Sequence, residues 1–201
     1  MVDKSKLIEQ TNLAFDFVDK LYLEISYLIK EAEAMYNEEP EKFLIGKPGG
    51  YQVSVRSSSG LEAMNVNLWL FRKFAVYFVP EEKTEVKGGQ RSTSFSDKLK
   101  VIYIRFVLQD RSANEPTVFS GVLYNIKNKR KDKWPEKFDH CMGHFEYIAD
   151  KLFQHPSKID YDDAYVSLNG KLLQMNLYDI NNSEDIREQI VKPSLDLFRK
   201  Y

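Results

Sequence analysis

The chain opens with a long amphipathic stretch at residues 5–37, SKLIEQTNLAFDFVDKLYLEISYLIKEAEAMYN. Apolar residues recur along it at alternating spacings of four and three, which is the pattern of a helix that buries one stripe. A second stripe recurs every seven residues beside the first, and neither Gly nor Pro interrupts the stretch before Pro40. The first stripe comprises Leu7, Thr11, Ala14, Val18, Leu21, Ile25, Leu28, Ala32 and Met35, and the second comprises Ile8, Phe15, Tyr22, Ile29 and Tyr36. The stretch therefore predicts one helix with a wide apolar face.

The length of this helix predicts an interface as well as a core. At about 1.5 Å per residue the helix runs roughly 50 Å, about the full width of a compact domain of this size. It must therefore either cross the whole domain or project from it. We expect a sheet to cover one apolar stripe and a second subunit to cover the other, which predicts a homodimer assembled through the first helix.

Composition and charge restrict the class of protein. The chain has 201 residues, of which 43% are hydrophobic and 29% are charged, as is typical of one globular domain. Its formal net charge of −1 gives no overall field that would attract nucleic acid or an anionic membrane. Cys141 is the only cysteine, so an intramolecular disulfide is impossible. Because no signal peptide or membrane-spanning run is found, we expect a cytoplasmic location and no membrane partner.

Alternating apolar residues predict antiparallel strands between residues 51 and 126. The first strand is expected at 51–56, and a long strand that is apolar on both sides is expected at 66–79. Residues 99–108 and 117–126 are joined by a short connection, which predicts an antiparallel hairpin.

Helical and strand patterns then alternate to the end of the chain. A helix is expected at 136–153, a strand region at 164–179, and a C-terminal helix at 183–200 that Asn182 caps. This order predicts a single domain over residues 1–201 with an α+β fold. In it, an antiparallel sheet of about five strands packs against a long N-terminal helix and a C-terminal helix, with the helices gathered on one face.

Three polar segments are expected to be loops or turns. Residues 80–98 contain two consecutive glycines and predict a mobile connection, with a lid over a ligand as the alternative. The stretch 82–96 should be the most mobile interior part of the chain. Residues 159–163 predict an acidic loop, and Asn169 followed by Gly170 is the dipeptide typical of a tight hairpin turn.

Two histidines one helical turn apart, His140 and His144, are candidate metal ligands. A third ligand would have to come from the acidic loop, in which Asp162 is the candidate and Asp160 and Asp163 are alternatives. The glutamate of a His-Glu-x-x-His motif is absent, because Cys141 follows His140 and points toward the core. The competing interpretation is a pair of exposed histidines that bind no metal.

A short basic run at residues 127–133 is a candidate surface for nucleic acid or another partner. It places Lys129, Arg130 and Lys131 just before Trp134, and phosphate contacts next to a stacking aromatic suit single-stranded nucleic acid. The run is short and the chain as a whole is slightly acidic. A solvated link between a strand and a helix is therefore favoured, and nucleic acid is not an expected partner.

The remaining motifs give no catalytic assignment. Gly46 and Lys47 are followed by Pro48 instead of the Ser or Thr of a phosphate-binding loop. No cofactor is predicted. The sequence favours a non-enzymatic ligand-sensing or protein-interaction domain. The alternative is a metal-dependent hydrolase or nuclease that uses acidic and histidine side chains.

Overall fold

A six-stranded antiparallel sheet lies between two helical layers in the computed structural model. The structure describes residues 3–46, 48, 72–87, 90–93, 99–108, 115–130, 138–153 and 155–201. The main elements are α1 (Lys4–Glu38), β1 (Phe43–Gly46), β2 (Lys73–Pro80), β3 (Thr84–Lys87), β4 (Gln90–Thr93), β5 (Val101–Val107), β6 (Thr117–Asn128), α2 (Phe138–Leu152), β7 (Ile159–Asp162), β8 (Val166–Asn176) and α3 (183–200). Within α3, a π-helical turn at Ile186–Val191 precedes a regular helix at Lys192–Lys200.

The predicted N-terminal helix is confirmed as α1. Asp3 caps its start, since the carboxylate accepts a hydrogen bond from the Ser5 amide at 3.0 Å. The helix ends where Glu39 turns to an extended conformation ahead of Pro40. All the buried side chains of α1 lie between Tyr22 and Tyr36, and the side chains that precede Val18 are exposed. Of the two predicted arrangements, the helix therefore adopts the projecting one.

The strand order in the main sheet is β1-β2-β5-β6-β8-β7, and every neighbouring pair is antiparallel. The predicted hairpin of β5 and β6 is confirmed, with Ile104 opposite Ser120. Along β5 the side chains alternate between the two faces, and both faces are buried. This burial on both faces explains why the sequence of β5 is an almost continuous apolar run.

Two hydrophobic cores flank the sheet. The first core lies between the sheet and α1 with α3, and the second core lies between the sheet and α2. The prediction that the helices gather on one face is therefore wrong, because α2 covers the opposite face. The apolar side chains on both sides of β2 and β5 require a cover on each side, and one helical layer could not supply both.

The prediction of an acidic loop at 159–163 is also wrong, because residues Ile159–Asp162 form the edge strand β7. Ile159 is buried and Tyr161 is half-buried, whereas Asp160 and Asp162 are exposed. This alternation has the period of two that marks a strand with one covered face. Neither edge strand, β7 nor β1, is among the predicted strands, and with both of them the described residues form a sheet of six strands instead of about five.

The hairpin turn predicted at Asn169 and Gly170 does not form, because both residues lie inside the continuous strand β8. A Cβ atom at Gly170 would lie 2.7 Å from Cδ2 of Leu123 on the neighbouring strand. The glycine therefore serves the packing of Leu123 and makes no turn. The actual turn joins β7 to β8 at residues 163–165.

Part of the predicted pattern lies outside the described residues. This applies to the strand at 51–56, the first residues of the strand at 66–79, and the start of the helix at 136–153. The described parts of 80–98 form a short 3-10 turn and a separate antiparallel pair, β3 with β4. The expected mobility of residues 82–96 stays a prediction that hydrogen exchange can test.

Candidate functional site

The first half of α1, residues 4–20, is a candidate interaction surface and is called the arm below. At about 1.5 Å per residue the arm extends roughly 25 Å along the helix. Five large apolar side chains on it are between 47% and 62% exposed: Leu7, Ile8, Leu13, Phe15 and Phe17. Large apolar side chains that stand this close together on a surface typically mark a binding site.

One side of the arm continues the surface that α1 buries farther along. Eighteen residues make five helical turns, so residues eighteen apart point in the same direction. Leu7 therefore points the same way as Ile25, and Ala14 the same way as Ala32; both Ile25 and Ala32 are buried in the first core. The inner stripe consists of Leu7, Ile8, Thr11, Ala14, Phe15 and Val18. Val18 is half-buried against the first core, and the other five carry this stripe beyond the end of that core.

A second apolar surface on the arm, the lateral stripe, consists of Leu13 and Phe17. At about 100° per residue it lies roughly 140° around the helix from the centre of the inner stripe. Together the two stripes span an arc of about 220°, whereas a helix on one surface needs an arc of a little over 100°. The arm therefore needs two covering surfaces. The sequence interpretation missed the lateral stripe, although its spacing of four, continued by Leu21, is a helical signal.

A groove of about 420 Å³ begins where the lateral stripe ends. One wall is the side of α1 that carries Leu21 and Leu28, and the other wall is formed by residues Leu177, Tyr178 and Ile180. Tyr27 and Tyr178 belong to the same lining and expose about half of their surface. Exposed tyrosines beside an apolar groove are common at protein interfaces, because they bury a ring while the hydroxyl stays hydrated.

A second candidate site lies at the turn between β7 and β8, where Asp163 collects several hydrogen bonds. Its Oδ2 atom lies 2.6 Å from Nε2 of His144 and accepts a hydrogen bond from the Tyr161 hydroxyl. Its Oδ1 atom accepts hydrogen bonds from the amides of Tyr165 and Val166 at 2.7 and 2.8 Å. The carboxylate thereby ties α2 to the turn and fixes the start of β8.

The pKa values of this cluster follow from its contacts. Partial burial alone would raise the pKa of Asp163, but the hydrogen bonds from Tyr161, from the Val166 amide and from His144 lower it to about 2. Burial and the adjacent Asp163 carboxylate raise the pKa of the Tyr161 phenol above its usual range. Asp163 therefore stays ionised, and its charge is held by groups that also form the turn.

The predicted metal ligands have different surroundings. His144 meets Asp163, whereas Asp162 forms an ion pair with Lys129, and His140 is exposed on α2. No three His, Cys, Asp or Glu side chains within the described part of the chain gather closely enough to hold a metal ion. Metal binding by His140, His144 and Asp162 therefore stays a prediction without geometric support. Cys141 is buried as expected, and burial raises the pKa of its thiol to about 11.

The predicted basic surface is only partly described. Lys129 pairs with Asp162, and the guanidinium of Arg130 lies 5.1 Å from the centre of the Tyr165 ring. Lys131 and Trp134 lie outside the described residues. Binding of nucleic acid or another partner by this run stays a prediction.

A buried ion pair between Arg105 and Glu146 joins β5 to α2 inside the second core. Nε of Arg105 lies 3.4 Å from Oε2 of Glu146, and the guanidinium lies over the Phe153 ring at 4.8 Å. Both side chains are almost fully buried. Sequence patterns do not identify this pair, because Glu146 lies forty-one residues after Arg105 and on a different kind of element.

Comparisons with known proteins do not add to these observations. No family model, no curated protein and no solved structure matches the chain. Within the described residues, none of the helices has the combination of length and apolar character that crossing a membrane requires. Any functional assignment therefore rests on the geometry of this chain alone.

Proposed function

We propose that this chain is a non-enzymatic protein-interaction domain that forms a homodimer through its first helix. The observation that carries the proposal is the arm, on which five large apolar side chains are about half exposed. The rest of the described fold already has two cores of its own on the two faces of the sheet. The arm is therefore not needed to complete either core, and its apolar side chains are available to a partner.

The apolar area on this side of the molecule matches that of a stable interface. A large side chain that is half exposed presents roughly 100 Å² to solvent. The five arm residues together with Tyr27 and Tyr178 therefore offer roughly 700 Å² per subunit, or about 1,400 Å² in a symmetric dimer. Specific complexes of standard size bury about 1,200–2,000 Å².

The arm favours protein interaction over the two other predicted functions. Ligand sensing would need a pocket that encloses a small molecule. The groove beside α1 is open and continues along the helix into the lateral stripe, and a depression of about 600 Å³ beside Pro40, Pro80 and Phe198 is open as well. A metal-dependent hydrolase or nuclease would need clustered acidic and histidine side chains. Among the described residues, Asp162 and Asp163 instead bond to neighbouring side chains.

The proposal is tested by a pair of double variants of the full chain. Phe15→Ser with Phe17→Ser removes one large apolar group from each stripe, and Asn12→Ser with Asp16→Ser makes matched changes on the polar face of the arm. Light scattering from low to high micromolar concentration should show dimers for the wild type and for the control, and monomers for the Phe variant. A wild type that stays monomeric throughout this range would refute the proposal.

A further inference from the structure

We propose that the arm of one subunit lies in the groove of a second copy, so that the two first helices run antiparallel. This inference rests on the proposed homodimer and specifies its geometry. The groove begins on the lateral side of α1, directly after Leu13 and Phe17 in the direction of the chain. If the second helix runs in the opposite direction, its own lateral stripe therefore comes to lie beside this groove.

The two walls of the groove account for the two stripes of the arm. In a two-fold pair, the lateral stripe of one arm meets the partner helix α1, which forms one wall. The inner stripe then turns toward the other wall, the segment that contains Leu177, Tyr178 and Ile180. A single helical partner would leave part of the 220° apolar arc in water, whereas a groove with two apolar walls covers both stripes.

Charges along the lateral side of α1 favour the antiparallel direction. Lys6 and Lys20 lie on this side in the arm, whereas Glu24, Glu31 and Glu38 lie on it in the second half of the helix. All five side chains are exposed. A parallel pair would place each charge opposite its own copy, which is repulsive at every position. An antiparallel pair can place the two lysines of one helix opposite two of the three glutamates of the other.

These charges also define one register. Lys20 faces Glu24 of the second copy in the same alignment that places Lys6 opposite Glu38, because both pairs are symmetric about Tyr22. In this alignment Phe17 faces Tyr27, an exposed residue of the groove lining. Two independent charge pairs and one aromatic pair thus agree on the position of the two-fold axis.

The experiment is a crosslink in the full-length variant Lys6→Cys with Glu38→Cys. Within one chain these two positions lie at opposite ends of the same helix, about 48 Å apart, so a short bismaleimide cannot join them. A link between residues 6 and 38, identified by peptide mass spectrometry, must therefore connect two chains. The variant Asn12→Cys with Glu38→Cys is the matched control, since residue 12 lies on the polar face. Wild-type protein, in which Cys141 is buried, measures any background reaction.

We expect the 6–38 link in the Lys6 variant, its absence in the control, and its loss when Phe17→Ser is added. Links of residue 6 to residue 6 would show a parallel pair and overturn the inference. A dimer by light scattering that yields neither link would also overturn it, although the proposed homodimer would stand. A monomer at all concentrations would refute the homodimer itself, so the two failures are distinguishable.

Discussion

Phe17→Ala should weaken the dimer strongly while leaving the fold of each subunit intact. The Phe17 side chain is 59% exposed, which for an aromatic side chain leaves about 120 Å² to be covered by a partner. At about 25 cal/mol per Å², and with Cβ retained, the substitution removes about 2 kcal/mol per subunit. The loss occurs twice in a symmetric dimer, so the total of about 4 kcal/mol corresponds to a roughly thousandfold increase in the dissociation constant.

Sedimentation velocity over a concentration series measures this constant for the wild type, Phe17→Ala and the matched control Asn12→Ala. The control removes a side chain from the polar face of the same arm and should leave the constant within a few-fold of wild type. Urea unfolding at a concentration where the wild type is monomeric should give equal free energies of unfolding for all three proteins. If Phe17→Ala instead lowers the stability of the monomer, Phe17 packs against its own chain and is not an interface residue.

Three further predictions concern the described fold. Asp163→Asn should lower the free energy of unfolding at neutral pH by about 1–2 kcal/mol. Because the fold lowers the pKa of Asp163 to about 2, this stabilisation is fully present above about pH 4 and is lost as the pH falls toward 2, so unfolding curves of wild type and variant should converge there. Glu146→Gln should lower the free energy of unfolding in chemical denaturation by about 3 kcal/mol or more, because it leaves the buried charge of Arg105 uncompensated. The double variant Glu146→Leu with Arg105→Met should lose less stability than Glu146→Leu and Arg105→Met lose in total as single variants. Gly121→Ala should lower the free energy of unfolding by about 2–3 kcal/mol, because the new Cβ would lie 2.1 Å from the carbonyl oxygen of Lys171 on the adjacent strand. If this variant melts at the temperature of the wild type, the register of β6 with β8 is contradicted.

The elements that local patterns determine were predictable from the sequence. The prediction of α1 rests on an unbroken helical pattern that ends before Pro40, and the pairing of β5 with β6 rests on alternating apolar residues and a short connection. The projection of α1 was one of two predicted possibilities, and only the extent of the sheet decides between them.

Features that depend on distant residues were not predictable in this way. The role of Gly170 depends on Leu123, which lies on another strand, so this dipeptide does not form the turn that is typical of it. The partner of Arg105 and the second wall of the groove likewise come from segments that are far apart in the chain. The lateral stripe, by contrast, depends on local sequence alone, because Leu13 and Phe17 stand at a helical spacing of four.

Sedimentation equilibrium of the wild-type chain tests most directly whether the first helix joins two copies. We predict a species of twice the chain mass of 23.6 kDa at high micromolar concentration, dissociating to the single-chain mass on dilution. A constant mass of 23.6 kDa across the same range would contradict it, because the exposed apolar side chains of the arm would then have no second copy to cover them.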